Sequence, residues 1–255
     1  MGPYRFKSIY IELIRMNSVR YYGLSYNNPK RHARLKEQFA KENLDINIYD
    51  GVPLTDPRIM CVPSGEKCNR RAWSCMWGHL DMIRTFLDTN AEFGVFCEDD
   101  IVIRKGFSKF IPEVVSTFSR LGLDILLLGY LLNYIPIHFK KDIGNLSLME
   151  ESISYFRYDD VIYGTQMYML NRSISKKFLD TYTMEYALRT LKDKSLTAFC
   201  ADMTLTKHGN RALLYPMLAI EKVDIDKPEN VHETFHKKCY DVQKDKRYYF
   251  LETEV

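Results

Sequence analysis

The chain has 255 residues, 46% of them hydrophobic and 27% charged, which allows one sizeable α/β core and excludes a disordered polyelectrolyte. A formal net charge of +3 gives no nucleic-acid footprint. No apolar run reaches the ~20 residues of a membrane span, and neither signal peptide nor anchor is legible, so a cytoplasmic location is expected. Cys61, Cys68, Cys75, Cys97, Cys200 and Cys239 form no Cys-x-x-Cys pair; reduced thiols are expected.

In chain order, residues 1–21 form an N-terminal extension with a strand candidate at 9–14. A short apolar piece from Tyr22 leads through the turn-forming cluster at 26–31 to a helix over 33–43, where Leu35, Phe39 and Ala40 share one face. Lys30, Arg31 and Arg34 at its start suit a nucleotide or diphosphate beside a helix N-terminus, or an ordinary basic surface turn. Residues 46–49 alternate like a half-buried strand and stop at the turn signal Asp50-Gly51. The proline-rich stretch 52–69 reads as a functional loop. Over 71–89, Trp73, Met76, Trp77, Leu80, Ile83 and Leu87 recur at steps of three and four, predicting a helix packed on a sheet. His79 lies beside that stripe, where a lone histidine is commonly structural.

Phe93, Val95 and Phe96 predict a buried strand that runs into Glu98-Asp99-Asp100. Acidic residues at the carboxyl end of such a strand occupy the edge where open α/β sheets bind ligands. Three adjacent carboxylates repel one another in a cleft unless a hard divalent cation or basic neighbours neutralise them, so the triplet suggests a metal site; the competing reading is a solvated acidic turn. A helix over 107–121 and a buried strand over 124–129 follow. This β-α alternation predicts a largely parallel sheet with helices on both faces. Residues 130–162 read as an irregular excursion over one rim. A strand over 161–170 contains Gly164, which would allow close backbone approach to a ligand. Helices are expected after Asn171 and near 184–191 and 201–207, then a short element over 211–215 ended by Pro216. The charged, tyrosine-rich 223–255 reads as a tail over the domain.

The ordered set Asn28-Pro29-x-Arg31-x-x-Arg34, Asp50-Gly51, Cys75-x-x-Gly78-His79-Leu80, Glu98-Asp99-Asp100, Gly164-Thr165-x-x-Tyr168 and Ala201-Asp202 resembles glycosyltransferase family 25, which includes bacterial lipooligosaccharide galactosyltransferases and procollagen galactosyltransferases. The resemblance covers most of the chain and implies a GT-A-like, Rossmann-like α/β domain over 22–222. It also implies a UDP-galactose or UDP-glucose donor, Mn²⁺ or Mg²⁺, and inverting transfer to a glycan or hydroxylysine-type hydroxyl. Carried over by position, Asn28, Arg31, Arg34, Asp50, His79, Glu98, Asp99, Gly164 and Thr165 would meet the donor, and Glu98 and Asp100 the metal. The family's Ser-His is here Gly78-His79, its Asn-Leu-Asp is Leu24-Ser25-Tyr26, and its Pro-Val-Asp is Cys200-Ala201-Asp202.

Inverting transfer needs a carboxylate free of metal to take the acceptor proton. Asp202 is the candidate; the competing role is a helix N-cap. A further motif, His232-Glu233-x-x-His236, matches the zinc-hydrolase pattern. Its alternatives are a surface helix, or His232 or His236 folding back to complete a metal shell beside Asp100. A non-catalytic sugar-nucleotide or glycan-binding module would keep the same fold.

Overall fold

Alternate side chains of a strand face opposite sides, so a strand buried on both faces must be apolar nearly throughout. β1 (Val19–Ser25) and β3 (Phe93–Glu98) meet that requirement and pair in parallel at the centre of one half of the sheet. The computed structural model describes residues 18–63, 69–133, 142–148, 151–223 and 227–251. The strand candidate at 9–14 and Cys68 lie outside them.

Along the eight-stranded sheet, β2 (Ile46–Asp50) flanks β1, and β3 lies on the other side of β1. Next come β8 (Tyr163–Asn171), β5 (Ile125–Leu131), β9 (Arg211–Tyr215), β7 (Glu151–Phe156) and β6 (Asp142–Leu148). β8 and β7 run against the rest, so the sheet is mixed with its strands mostly parallel. A separate two-stranded ladder joins β4 (Ile101–Ile103) antiparallel to β10 (Ala219–Glu221). The architecture is α/β, in keeping with the GT-A-like class expected.

Strand parity divides the core. Tyr22, Phe96, Leu127 and Tyr168 face α3 (Asn69–Leu87) and α5 (Arg172–Thr181). Tyr21, Val95, Leu126 and Met169 face α1 (Pro29–Lys41) and α4 (Phe107–Arg120). α2 (Pro57–Met60), α6 (Met184–Thr190), α7 (Ala201–Thr204) and α8 (Val231–Gln243) complete the helices among the described residues.

The irregular excursion expected over 130–162 is corrected: β6 and β7 form an antiparallel hairpin that extends the sheet through β9. In β7, Ile153 and Tyr155 are buried while Ser154 between them is half-buried, so tertiary pairing stabilises a pattern too short to stand out alone. The element over 211–215 is the strand β9. The tail is tied to the domain as well: Lys105 N donates to Tyr248 O at 2.7 Å, Tyr249 Oη donates to Met217 O at 3.0 Å, and the Arg104 guanidinium stacks 4.8 Å over Tyr248. The five described cysteines are unpaired.

The N-terminus of α4 is capped from a distance. Gly106 precedes it with φ 76° and offers no side chain, and Glu42, just beyond α1, supplies the acceptor. Glu42 Oε1 accepts from Gly106 N at 2.7 Å, and Oε2 accepts from Ser108 N at 3.0 Å and Ser108 Oγ at 2.9 Å. A carboxylate there satisfies orphan donors and opposes the helix dipole. Glu42→Ala is expected to cost about 2–3 kcal/mol and lower Tm by about 4–12 °C. A thermal melt shifted by less than about 1 °C would show that water replaces the cap.

Candidate functional site

β1 and β3 are parallel, so Ser25 and Glu98 end at the same edge of the sheet; β8 is antiparallel, so its beginning, with Thr165, arrives there too. The turn after β3 carries Asp99 and Asp100. The pairing of Ile101 with Glu221 across the small ladder places Glu221 beside them. Topology thus gathers carboxylates that lie far apart in the chain, at the strand ends where α/β sheets bind ligands.

Each carboxylate has its own support. Thr165 Oγ1 donates to Glu98 Oε1 at 2.7 Å, and His79 Nε2 stands 3.8 Å from the same oxygen. Burial raises the Glu98 carboxyl, but His79 and Thr165 outweigh it and hold the group below its ordinary range. His79, expected beside the donor, is wholly buried and stands behind Glu98. Its Nδ1 lies 2.9 Å from the Tyr168 hydroxyl, and burial above all keeps that phenol protonated. With Tyr168 donating to Nδ1, Nε2 is the ring atom that presents a proton toward Glu98.

Asp99 is 8% exposed and accepts from Ser25 Oγ at 2.7 Å. Arg31 bridges Asp99 and Asp100 at 3.3 Å each, and Arg34 donates to the Asp99 carbonyl at 3.3 Å. Asn28 sets the start of α1 by accepting from Arg31 N at 3.1 Å. Asp100 is the least compensated: burial first, then Glu98 and Glu221, push its carboxyl well above the ordinary range against the pull of Arg31.

Asp202 faces Glu98 across Thr165. Its Oδ1 accepts from Thr165 N at 3.0 Å and lies 3.1 Å from Thr165 Oγ1. The hydroxyl has one proton, which goes to the shorter contact with Glu98. Asp202 is not the helix cap; Cys200 occupies that position, and the carboxylate turns to Thr165 instead. Burial, then the charge of Glu98, raises its carboxyl, which strengthens it as a base.

The C-terminal helix reaches the same place. His236 Nδ1 lies 2.7 Å from Glu221 Oε2, and the Nε2 atoms of His236 and His232 are 3.0 Å apart. Glu233 is otherwise engaged: it accepts from Glu229 N at 2.7 Å and Asn230 Nδ2 at 2.8 Å, while its own N–H donates to Asn230 Oδ1 at 2.9 Å. This reciprocal cap fixes the helix start and leaves the zinc-hydrolase pattern without its general base.

Two clefts share this edge. The larger, about 750 Å³, includes Glu98, Asp100, Asp202, Glu221, His232 and His236 in its lining. The smaller, about 420 Å³, includes Tyr26, Asn28, Gly51, Leu54 and Asp99. Arg31, Arg71, Cys75, Glu98 and Asp100 border both. Among the described residues, ligand atoms of Cys75, His79 and Glu98 come within 4.8 Å of one another. Burial, reinforced by Glu98, keeps Cys75 a thiol, a poor metal ligand.

Asp50 and Gly164 were also expected beside the donor. Asp50 ends β2 with its side chain exposed, and its neighbour Gly51 lines the smaller cleft. Gly164, at φ 155°, lets Tyr130 approach: a Cβ there would lie 2.6 Å from Tyr130 Cα. Ser25, Glu221 and Arg71 were not singled out from the sequence. Ser25 stood in the Leu24-Ser25-Tyr26 run compared with the family's Asn-Leu-Asp, but with no role given to it; Glu221 and Arg71 had no local signal.

No family model matches the chain, and no curated protein matches it. Among solved structures it is similar to a glycosyltransferase involved in the glycosylation of the major capsid of PBCV-1, with 12% identity, 86% of this chain and 98% of that chain covered, and a TM-score of 0.37.

The state of Asp100 has a measurable consequence. Its folded carboxyl binds a proton more tightly than the unfolded one, so its contribution to stability falls as pH rises from about 4, the ordinary aspartate range, toward the raised value. Asp100→Asn is expected to raise Tm in chelator at neutral pH and to flatten that fall. A Tm unchanged or lowered across the series would contradict this charge balance.

Proposed function

We propose that the protein is a metal-dependent glycosyltransferase that moves a hexose, galactose or glucose, from a UDP-sugar to a hydroxyl of a glycan or hydroxylysine-type acceptor, with inversion. The observation that carries this reading is the position of Glu98 and Asp100 at the junction of two clefts, with Asp202 facing Glu98 in the larger one.

The residues fit a hard divalent cation. Oxygen donors predominate, and the Asp100 carboxyl, raised by burial first and then by Glu98 and Glu221, has only Arg31 pulling the other way. Glu98 and Asp100, with His232 or His236, would hold Mn²⁺ or Mg²⁺, which when bound offsets the charge developing on a departing diphosphate.

The chain's own groups divide the remaining work. Tyr26 and Leu54 give the smaller cleft an apolar wall suited to a nucleoside base, and Arg31 and Arg71 bring positive charge to the junction beside it. The larger cleft receives the acceptor. Asp202, held by the Thr165 N–H, accepts the acceptor's hydroxyl proton as the oxygen attacks the anomeric carbon opposite the diphosphate.

UDP should raise Tm far more with Mn²⁺ than in excess chelator, since a ligand confined to the folded state stabilises it by mass action. Equal stabilisation in both conditions would overturn the metal-bridged reading. Asp202→Asn should keep the Mn²⁺-dependent UDP shift yet lose transfer by a factor on the order of 10² to 10⁴. Near-normal transfer by that variant would remove Asp202 as the base. UDP-sugar binding without transfer or slow donor hydrolysis, across a panel of donors and acceptors, would favour the non-catalytic binding module.

A further inference from the structure

Next to Asp202 the larger cleft adjoins an apolar groove of about 400 Å³, and the two share Ala72 and Cys200 in their linings. The groove is bounded by α3, the end of α6 and the segment leading into α7. Its aromatic lining comes from Trp73 and Phe199, each 2% exposed, which meet edge to face with centroids 5.1 Å apart. Leu191, Leu196 and Met203 add aliphatic surface, and Met203 remains 39% exposed. Lys194, exposed, is the charged residue of the lining. The short helix α7 joins the two spaces: Asp202 lines the larger cleft, and the next residue, Met203, lines the groove.

We propose that this groove holds an apolar aglycone, an alkyl chain or aromatic ring linked directly to the acceptor sugar whose hydroxyl faces Asp202. The assignment rests on the glycosyltransferase reading and narrows its acceptor class. Continuity with the cleft at α7 fixes the direction of entry. A group leaving the acceptor sugar on the side of Met203 passes onto apolar surface, not into water. Size agrees, since an apolar cavity of roughly 150 Å³ already holds benzene and ligand pockets begin at about 300 Å³. Each buried methylene contributes up to roughly fourfold in affinity.

The chain has two tryptophans, and both Trp73 and Trp77 pack against Phe199, at 5.1 and 5.0 Å between centroids. Intrinsic fluorescence therefore reports on this place. The test titrates full-length protein with octyl and methyl β-glucosides and β-galactosides below micellar concentrations, without donor. It then measures KM for the same glycosides as acceptors with Mn²⁺ and UDP-sugars. Octyl glycosides should bind at least about tenfold tighter than methyl glycosides and lower the acceptor KM accordingly. Met203→Glu should bring the octyl-to-methyl ratio near one with Tm unchanged; Leu196→Gln serves if that variant fails to fold. Equal binding of octyl and methyl glycosides overturns the groove assignment, and transfer to both with equal KM does so while leaving the glycosyltransferase reading intact. Octyl selectivity that is lost in the variants, without transfer from any donor, upholds an apolar glycoside site and overturns the transferase reading. Tighter binding of N-acetyl-phenylalanine amide than of octyl glycosides makes the occupant a peptide side chain and also overturns the assignment.

Discussion

Negative charge packed at one sheet edge is the constraint around which the structure is arranged. Glu98, Asp99, Asp100, Asp202 and Glu221 converge there from β3, the following turn, α7 and β10. Water would normally screen such a group, but Asp99 is 8% exposed and its neighbours are enclosed in part by α8, so protein dipoles and cations must substitute. Ser25 and Arg31 support Asp99, Thr165 and His79 support Glu98, the Thr165 N–H supports Asp202, and His236 supports Glu221. Asp100 shares Arg31 with Asp99 and is left with the largest unmet demand.

That demand persists because the framework cannot relax it. Tyr22, Phe96 and Tyr168 stack across three neighbouring strands with successive centroids 5.4 Å apart, directly beneath the site. The Tyr168 hydroxyl then meets His79, and His79 faces Glu98. Side chains locked in a close-packed interior move together or not at all. A repulsive charge arrangement held on such a base is the form that preorganised sites take, where stability is lost locally so that a ligand can restore it.

The parts legible in the sequence were those written in local pattern. The apolar run from Phe93 to Cys97 ending in Glu98 fixed a strand and its functional end, and the spacing from Trp73 to Leu87 fixed α3. The β6 and β7 hairpin was not legible, because Gly144 and Asn145 weaken β-propensity and the six-residue β7 gains its stability from pairing with β9. Site residues divided in the same way. Glu98 and Asp100 stand in one motif, whereas Glu221 reaches the site only through the β4 and β10 ladder. Gly164 was legible as a glycine that something approaches closely; the sequence could not say that the something is Tyr130. His79 announced a polar role beside an apolar stripe, but its depth behind Glu98 is a tertiary fact.

The tail shows how much a local motif depends on what surrounds it. His232 and His236 lie one helical turn apart, the spacing of a zinc hydrolase, but the helix begins at Val231, so Glu233 falls in the first turn and its carboxylate closes the cap with Asn230. The cap and Glu221 then act jointly on the imidazoles. Glu221 accepts from His236 Nδ1 and, against burial, raises the proton affinity of that imidazole; its Nε2 lies 3.0 Å from His232 Nε2. A carboxylate that fixes the tautomer of a histidine is the arrangement that orients a ligand to a metal. By this route residues far from the acidic triplet in the chain become part of its surroundings, and the same Glu221 that adds to the repulsion on Asp100 holds the imidazole that can help to answer it.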